Sequence, residues 1–188
     1  MFEEILSRIG ATLARYRIPY MIIGGQAVLF YGEPRLTRDI DITLGANVDS
    51  LNTVLEAVKD LTLKPIPGDI ESFVQKTMVL PAVDENTGIR VDFIFSFTPY
   101  ETGAIKRSRK VEILGQEIAF ASPEDVIIHK IFAGRPRDLE DVKSILIRNH
   151  DLDTRYIRGW LVEFDAADEK TNNYLKSFDD LVQKLSGS

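Results

Sequence analysis

Two aspartates in the run Asp39-Ile40-Asp41-Ile42, preceded by Tyr20-Met21-Ile22-Ile23-Gly24-Gly25, carry the strongest chemical signal in the chain. Alternate residues of a strand share a face, so this spacing predicts both carboxylates side by side, with Ile40 and Ile42 facing the other way. Adjacent carboxylates repel unless a cation lies between them. Mg²⁺ is a hard ion commonly held by one or two carboxylates together with substrate phosphates. A glycine pair at the end of a strand lets the backbone turn sharply and lets phosphate oxygens approach main-chain N–H groups without a Cβ in the way. The following Gln26-Ala27-Val28-Leu29-Phe30-Tyr31 has no breaker and begins a helix whose N-terminus favours an anion. Alone, each half has an ordinary reading: turn chemistry for the glycines, a solvated strand edge for the aspartates. Their succession, with Thr37-Arg38 directly before Asp39, points to a phosphate and a metal.

The pattern of Gly-Gly, spacer, Thr-Arg turn and Asp-Ile-Asp-Ile resembles the signature of the nucleotidyltransferase superfamily related to DNA polymerase β. That resemblance implies a third carboxylate on a later strand. Gly88-Ile89-Arg90-Val91-Asp92-Phe93-Ile94-Phe95 is an apolar strand pattern interrupted by one acid, and an Asp between Val91 and Phe93 is costly to bury unless paired or metal-bound. Read from its own residues, Asp92 either lies on a solvent-facing surface beside Arg90, its same-face neighbour, or joins a metal site. The resemblance favours the second. It implies two divalent ions, Mg²⁺ with Mn²⁺ as the alternative, of the kind that sit about 4 Å apart in two-metal sites. It further implies that Gly24 and Gly25 cradle nucleotide phosphates, that Asp39 and Asp41 ligate the ions and the triphosphate, and that Asp92 binds the catalytic ion and helps deprotonate the acceptor. The more usual first motif of the superfamily has Gly-Ser, and Gly25 stands where that serine would touch phosphate. Phosphate contact then falls to backbone, Lys130, or Thr37 and Arg38. The Gly-Gly form occurs in a minimal, abortive-infection toxin-like subgroup.

Ser122-Pro123-Glu124-Asp125 predicts a helix start, with an N-cap, a proline at the first helical position and acids at the positive end of the dipole. Gly134 ends that helix and Pro136 opens the next, with Val142, Ile145 and Leu146 on an apolar face. Lys130 on such a helix reads ordinarily as a solvated side chain. Its setting, with Ala133-Gly134-Arg135, Arg137-Asp138 and Asp141 downstream, looks like the later motif of the toxin-like subgroup. By that resemblance Lys130 contacts triphosphate oxygens and Asp138 orients it or a neighbouring arginine. Arg135 and Arg137 either add positive charge near phosphates or pair with Glu140 and Asp141.

These groups need a scaffold, and the rest of the chain supplies its pattern. Phe2, Ile5, Leu6, Ile9, Leu13 and Tyr16 recur at helical spacing, and Leu51, Val54, Leu55 and Val58 repeat it after Asp49, an expected cap. Phe73 to Leu80 reads as a strand, and Val111 to Phe120 as a hairpin behind the basic run Lys106-Arg107-Ser108-Arg109-Lys110. That run is either a solvated loop or a contact for an RNA phosphate backbone. Beyond Ser122 the periodicity is helical throughout, with stripes Ile157, Trp160, Leu161, Phe164 and Tyr174, Phe178, Leu181, Val182, Leu185, while Ser186-Gly187-Ser188 reads as a frayed end. The expected fold is α+β: a nucleotidyltransferase-type mixed β-sheet with packed helices in residues 1–121, followed by a C-terminal helical region, 122–188.

Composition agrees with a globular enzyme: 188 residues and 44% hydrophobic content suffice for a core. The absence of cysteine excludes disulfides and thiol chemistry, and a count of two histidines, His129 and His150, argues against a His-based zinc site. A net charge of −6 argues against a large nonspecific nucleic-acid surface. No run approaches a membrane span, and Glu3 and Glu4 replace the basic start of a signal peptide, so a soluble, cytoplasmic protein with no membrane partner is expected. The resulting expectation is a metal-dependent transferase moving a nucleoside monophosphate from an NTP to a hydroxyl acceptor, an RNA end such as tRNA or a protein, in a toxin paired with an antitoxin protein. The alternatives are a non-catalytic nucleotide- or partner-binding module of the same fold and a nucleotide-sugar glycosyltransferase.

Overall fold

The computed structural model describes residues 2–168 and 173–186; Gly187 and Ser188 of the expected frayed end lie outside the described residues. Helical spacing of apolar residues gives α1 (Phe2–Arg15), which buries Ile5, Leu6, Ile9 and Leu13. The wholly buried β1 (Tyr20–Ile23) turns directly into α2 (Gly24–Tyr31). There follow β2 (Asp39–Gly45), a 3-10 turn at Val48–Ser50, α3 (Leu51–Asp60), β3 (Lys64–Pro65), α4 (Ile70–Thr77), β4 (Val79–Val83), β5 (Arg90–Ser96), α5 (Pro99–Arg107), β6 (Arg109–Ile113) and β7 (Gln116–Phe120). The chain closes with α6 (Pro123–Ala133), α7 (Pro136–Arg148), α8 (Thr154–Ala167) and α9 (Tyr174–Ser186). The described chain forms two compact units: Met1–Gln26 with Leu36–Ala121, and Ala27–Arg35 with Ser122–Ser188.

The first unit is a mixed sheet in the order β3-β4-β5-β2-β1-β7-β6. Its centre is the parallel pair β2 and β5, flanked by β1 antiparallel to β2 and by β4 antiparallel to β5. Ile40, Ile42, Val91, Phe93 and Phe95, on one face of that pair, are fully or almost fully buried. Against β7, α1 lies so close that a Cβ on Gly10 would stand 2.3 Å from Ile118 Cδ1, so a small residue is required there. The β6–β7 hairpin turns through Leu114 and Gly115, both at positive φ (51° and 74°), the backbone of a tight hairpin turn. In the second unit α6 is capped by Ser122, whose Oγ accepts from the Asp125 N–H, and ends at Gly134 in the left-handed conformation, as its sequence predicts.

The mixed α+β architecture agrees with the sequence reading, with local corrections. Phe73 to Thr77 is helical rather than extended, because Asp69 caps α4 by accepting from the Ser72 N–H and only Val74 of this helix is buried; the strand starts at Val79, after a left-handed Met78. The cap expected at Asp49 is Asn47, whose side chain accepts from the Asp49 N–H and starts the 3-10 turn ahead of α3. The basic run is no loop: Lys106 and Arg107 end α5, where cations suit the helix dipole, and Arg109 and Lys110 start edge strand β6. Among the described residues no helix is long and apolar enough to cross a membrane.

Candidate active site

The sheet brings the three predicted aspartates together. In the parallel register Asp41 is opposite Asp92 and Asp39 is opposite Arg90, so all four side chains project from one face of two strands about 4.8 Å apart. Burial alternates accordingly: Asp39 is exposed and Asp41 half-buried, while the intervening Ile40 and the following Ile42 are enclosed. The flanking register positions, Ile23 on β1 and Pro81 and Val83 on β4, bring no charge. Arg90 Nε donates to Asp92 Oδ1 at 2.7 Å. This hydrogen bond, outweighing partial burial and helped by the charges of Asp92, Asp39 and Asp41, raises the guanidinium pKa further above its ordinary value.

Gly24 fits this face closely. Its φ of +64° is left-handed, and a Cβ there would stand 1.9 Å from Asp41 Oδ2, so both conformation and space demand glycine. The Asp41 carboxylate therefore lies directly against the backbone where β1 turns into α2. Gln26, in the first turn of α2, is 5% exposed, and its Nε2 has no hydrogen-bond partner among the described residues. A buried donor in that condition needs a ligand or a water to complete it. Thr37 Oγ1 donates to the Asp39 carbonyl at 3.4 Å, and Arg38 is exposed.

Among the described residues no three His, Cys, Asp or Glu side chains converge into a finished metal cage. The donor set nevertheless fits a hard divalent cation: carboxylate oxygens on one face, beside a cradle that a Cβ would fill, and with a guanidinium at present supplying the counter-charge to Asp92.

Lys130 and Asp138 meet in the second unit. Lys130 is 8% exposed, not solvated, and its Nζ donates to Asp138 Oδ1 at 2.6 Å and lies 2.9 Å from Asp141 Oδ2. Asp141 also receives both prongs of Arg35, Nε and Nη2, each at 2.9 Å, the bidentate form of charge-assisted bond. Burial by itself would raise the Asp141 pKa, but the bonds from Arg35 and Lys130 and their charges hold it below the ordinary carboxylate value. Arg135 Nε approaches Asp138 Oδ2 at 3.6 Å, and no ion pair of Arg135 with Glu140 or Asp141 is found among the described residues. Next to Lys130, His129 titrates at about 4, because burial disfavours imidazolium and the lysine charge adds to the penalty.

Arg35 and Gln26 were not among the residues expected from the sequence, and Asp141, expected in the motif downstream of Lys130 or as a surface partner of an arginine, is buried against both Lys130 and Arg35. Arg35 is 106 residues from Asp141 in the chain, with no local pattern to announce the contact. Gln26 had a signal, a long polar side chain in the apolar run directly after Gly24-Gly25.

A family model described as a nucleotidyltransferase of unknown function, DUF6036, matches residues 1–184. A search of curated protein sequences returned no match. Solved structures share the fold at low identity. The nucleotidyltransferase-like antigenic protein of Paracoccidioides brasiliensis is 15% identical with a TM-score of 0.56, over 93% of this chain and 92% of that one. ANT(2")-Ia in complex with adenylyl-2"-tobramycin is 16% identical with a TM-score of 0.58, over 88% and 98%. The lincosamide antibiotic adenylyltransferase LnuA, lincomycin-bound, is 16% identical with a TM-score of 0.52, over 76% and 94%.

Proposed function

Because the chain belongs to this nucleotidyltransferase family, we propose that the face carrying Asp39, Asp41 and Asp92 transfers a nucleoside monophosphate from an NTP to a hydroxyl acceptor, releasing pyrophosphate. The observation that carries this reading is the register of Asp41 on Asp92, with Asp39 one pleat away and the Asp41 carboxylate seated against Gly24. Asp39 and Asp41 would ligate both of two Mg²⁺ ions, or Mn²⁺ in their place, and Asp92 would bind the catalytic one. Such ions supply neutralisation of the triphosphate and a more acidic acceptor hydroxyl. The residues do the rest. Gly24 and Gly25 present main-chain N–H groups to the phosphates, with Thr37 and Arg38 as further nucleotide contacts. Asp92 takes the acceptor proton, the acceptor oxygen bonds to the α-phosphorus, and the bond from that phosphorus to the β-phosphate oxygen breaks. Lys130 contacts the triphosphate with Asp138 orienting it. The chemistry belongs to residues 1–121, with 122–188 as the accompanying helical region.

For the acceptor we propose an RNA end, such as that of tRNA, or a protein, in a cytoplasmic toxin countered by an antitoxin protein. The two antibiotic adenylyltransferases share only the fold at this identity, so a small hydroxyl compound is the contrasting outcome. The experiment is incubation with each α-labelled NTP and Mg²⁺, offering total RNA, cell protein, or an aminoglycoside and a lincosamide as acceptors, with Asp39→Ala in parallel. Label in one RNA or protein band, absent with the variant, establishes the reaction and the acceptor class together. Label on the antibiotic replaces the acceptor proposal, and no label on any acceptor contradicts the transfer.

A further inference from the structure

We propose that Arg90 is a built-in counter-ion that a divalent cation must displace from Asp92 before the site is loaded, an inference that rests on the metal-site reading above. Three carboxylates and one guanidinium occupy the four same-face positions of β2 and β5. Arg90 is directly opposite Asp39 and one pleat before Asp92, and it spends its bond on Asp92, the acid implied for the catalytic ion. Arg90 Nε occupies Oδ1 of Asp92 at 2.7 Å, so guanidinium and ion draw on the charge of one carboxylate. They also repel, being like charges a few ångströms apart.

The arginine can leave without cost to the core. Its side chain is 48% exposed against 18% for Asp92, and its β4 register partner is Val83, so rotation into solvent breaks a partly exposed ion pair. Once displaced, the guanidinium is free to meet the next anion to arrive, and a nucleotide triphosphate is such an anion. Arg90 thus keeps nucleotide-free metal binding weak and is a positioning residue, acting through Asp92.

The test is titration of Mn²⁺ into nucleotide-free protein, read by the electron paramagnetic resonance of free Mn²⁺. Wild type is compared with Arg90→Gln, Arg90→Met, Arg90→Lys and Asp92→Asn, each checked for its melting temperature. The expected result is about three- to tenfold tighter binding in Arg90→Gln and Arg90→Met, affinity near wild type in Arg90→Lys, and loss of the gain when Asp92→Asn is added. Wild-type binding that Asp92→Asn abolishes but neither Arg90→Gln nor Arg90→Met tightens overturns this proposal and leaves the metal site standing. No Mn²⁺ bound by any of the proteins overturns both.

Discussion

The two ionic clusters of this protein use the same residue types for opposite ends. On the sheet, Asp39, Asp41 and Asp92 share a face with Arg90 alone among the four register positions, and the face is partly open. In the helical unit, Asp138 and Asp141 meet Lys130 and Arg35 at 2.6 to 2.9 Å, and both acids and the lysine are buried. The second cluster is matched in charge and largely buried, the condition under which buried ions are tolerated. The first sets three carboxylates beside one guanidinium on a partly open face, the arrangement that a divalent cation would complete under the proposed function. Charge balance, rather than acid content, distinguishes the two clusters.

The difference breaks most visibly in activity. Asp41→Asn should lower nucleotidyl transfer on the order of a thousandfold, while its melting temperature holds or rises because like-charge repulsion is relieved; a large drop in melting temperature would place Asp41 among the structural ions. Asp141→Ala should do the reverse in stability, costing about 3 kcal/mol by stranding Lys130 and Arg35 without their shared partner, read from chemical denaturation. If Asp141→Ala unfolds at the same midpoint as wild type, the balanced cluster is not a joint. Gly24→Ala comes next, at about 1–3 kcal/mol for a left-handed non-glycine residue together with displacement of the Asp41 carboxylate, and should cost activity as well as stability. Unchanged turnover in that variant would detach Gly24 from the site.

The smallest effect is in pH. His129 has a folded pKa of about 4 against an ordinary 6.5, so the unfolded chain binds more protons between those values. Its contribution is therefore fully present above about pH 6.5 and is lost as pH falls towards 4. Asp141, also depressed, adds a loss in the carboxylate range below that. His129→Gln should flatten the upper part of this slope in melting temperature against pH; a slope identical to wild type would remove His129 from the account.

The sheet site was legible because its signals are local: glycines at a strand end, acids at alternate strand positions, and one acid in an apolar strand. The capped α6 and its Gly134 stop were legible for the same reason. Phe73 to Thr77 was misread because Phe73 and Val74 run without a breaker into the apolar strand residues Met78-Val79-Leu80, whereas the Asp69 cap makes them part of a helix. The burial of Lys130 was hidden because it depends on Asp141 and on Arg35, which arrives from a distant segment. Long-range ion pairs leave no spacing to read.

The most direct test of the carboxylate face is calorimetric titration of a non-hydrolysable NTP with Mg²⁺, because it needs no knowledge of the acceptor. The account predicts binding by wild type that EDTA abolishes and that Asp41→Asn lacks at an unchanged melting temperature. Nucleotide binding indifferent to EDTA and to Asp41→Asn would contradict it.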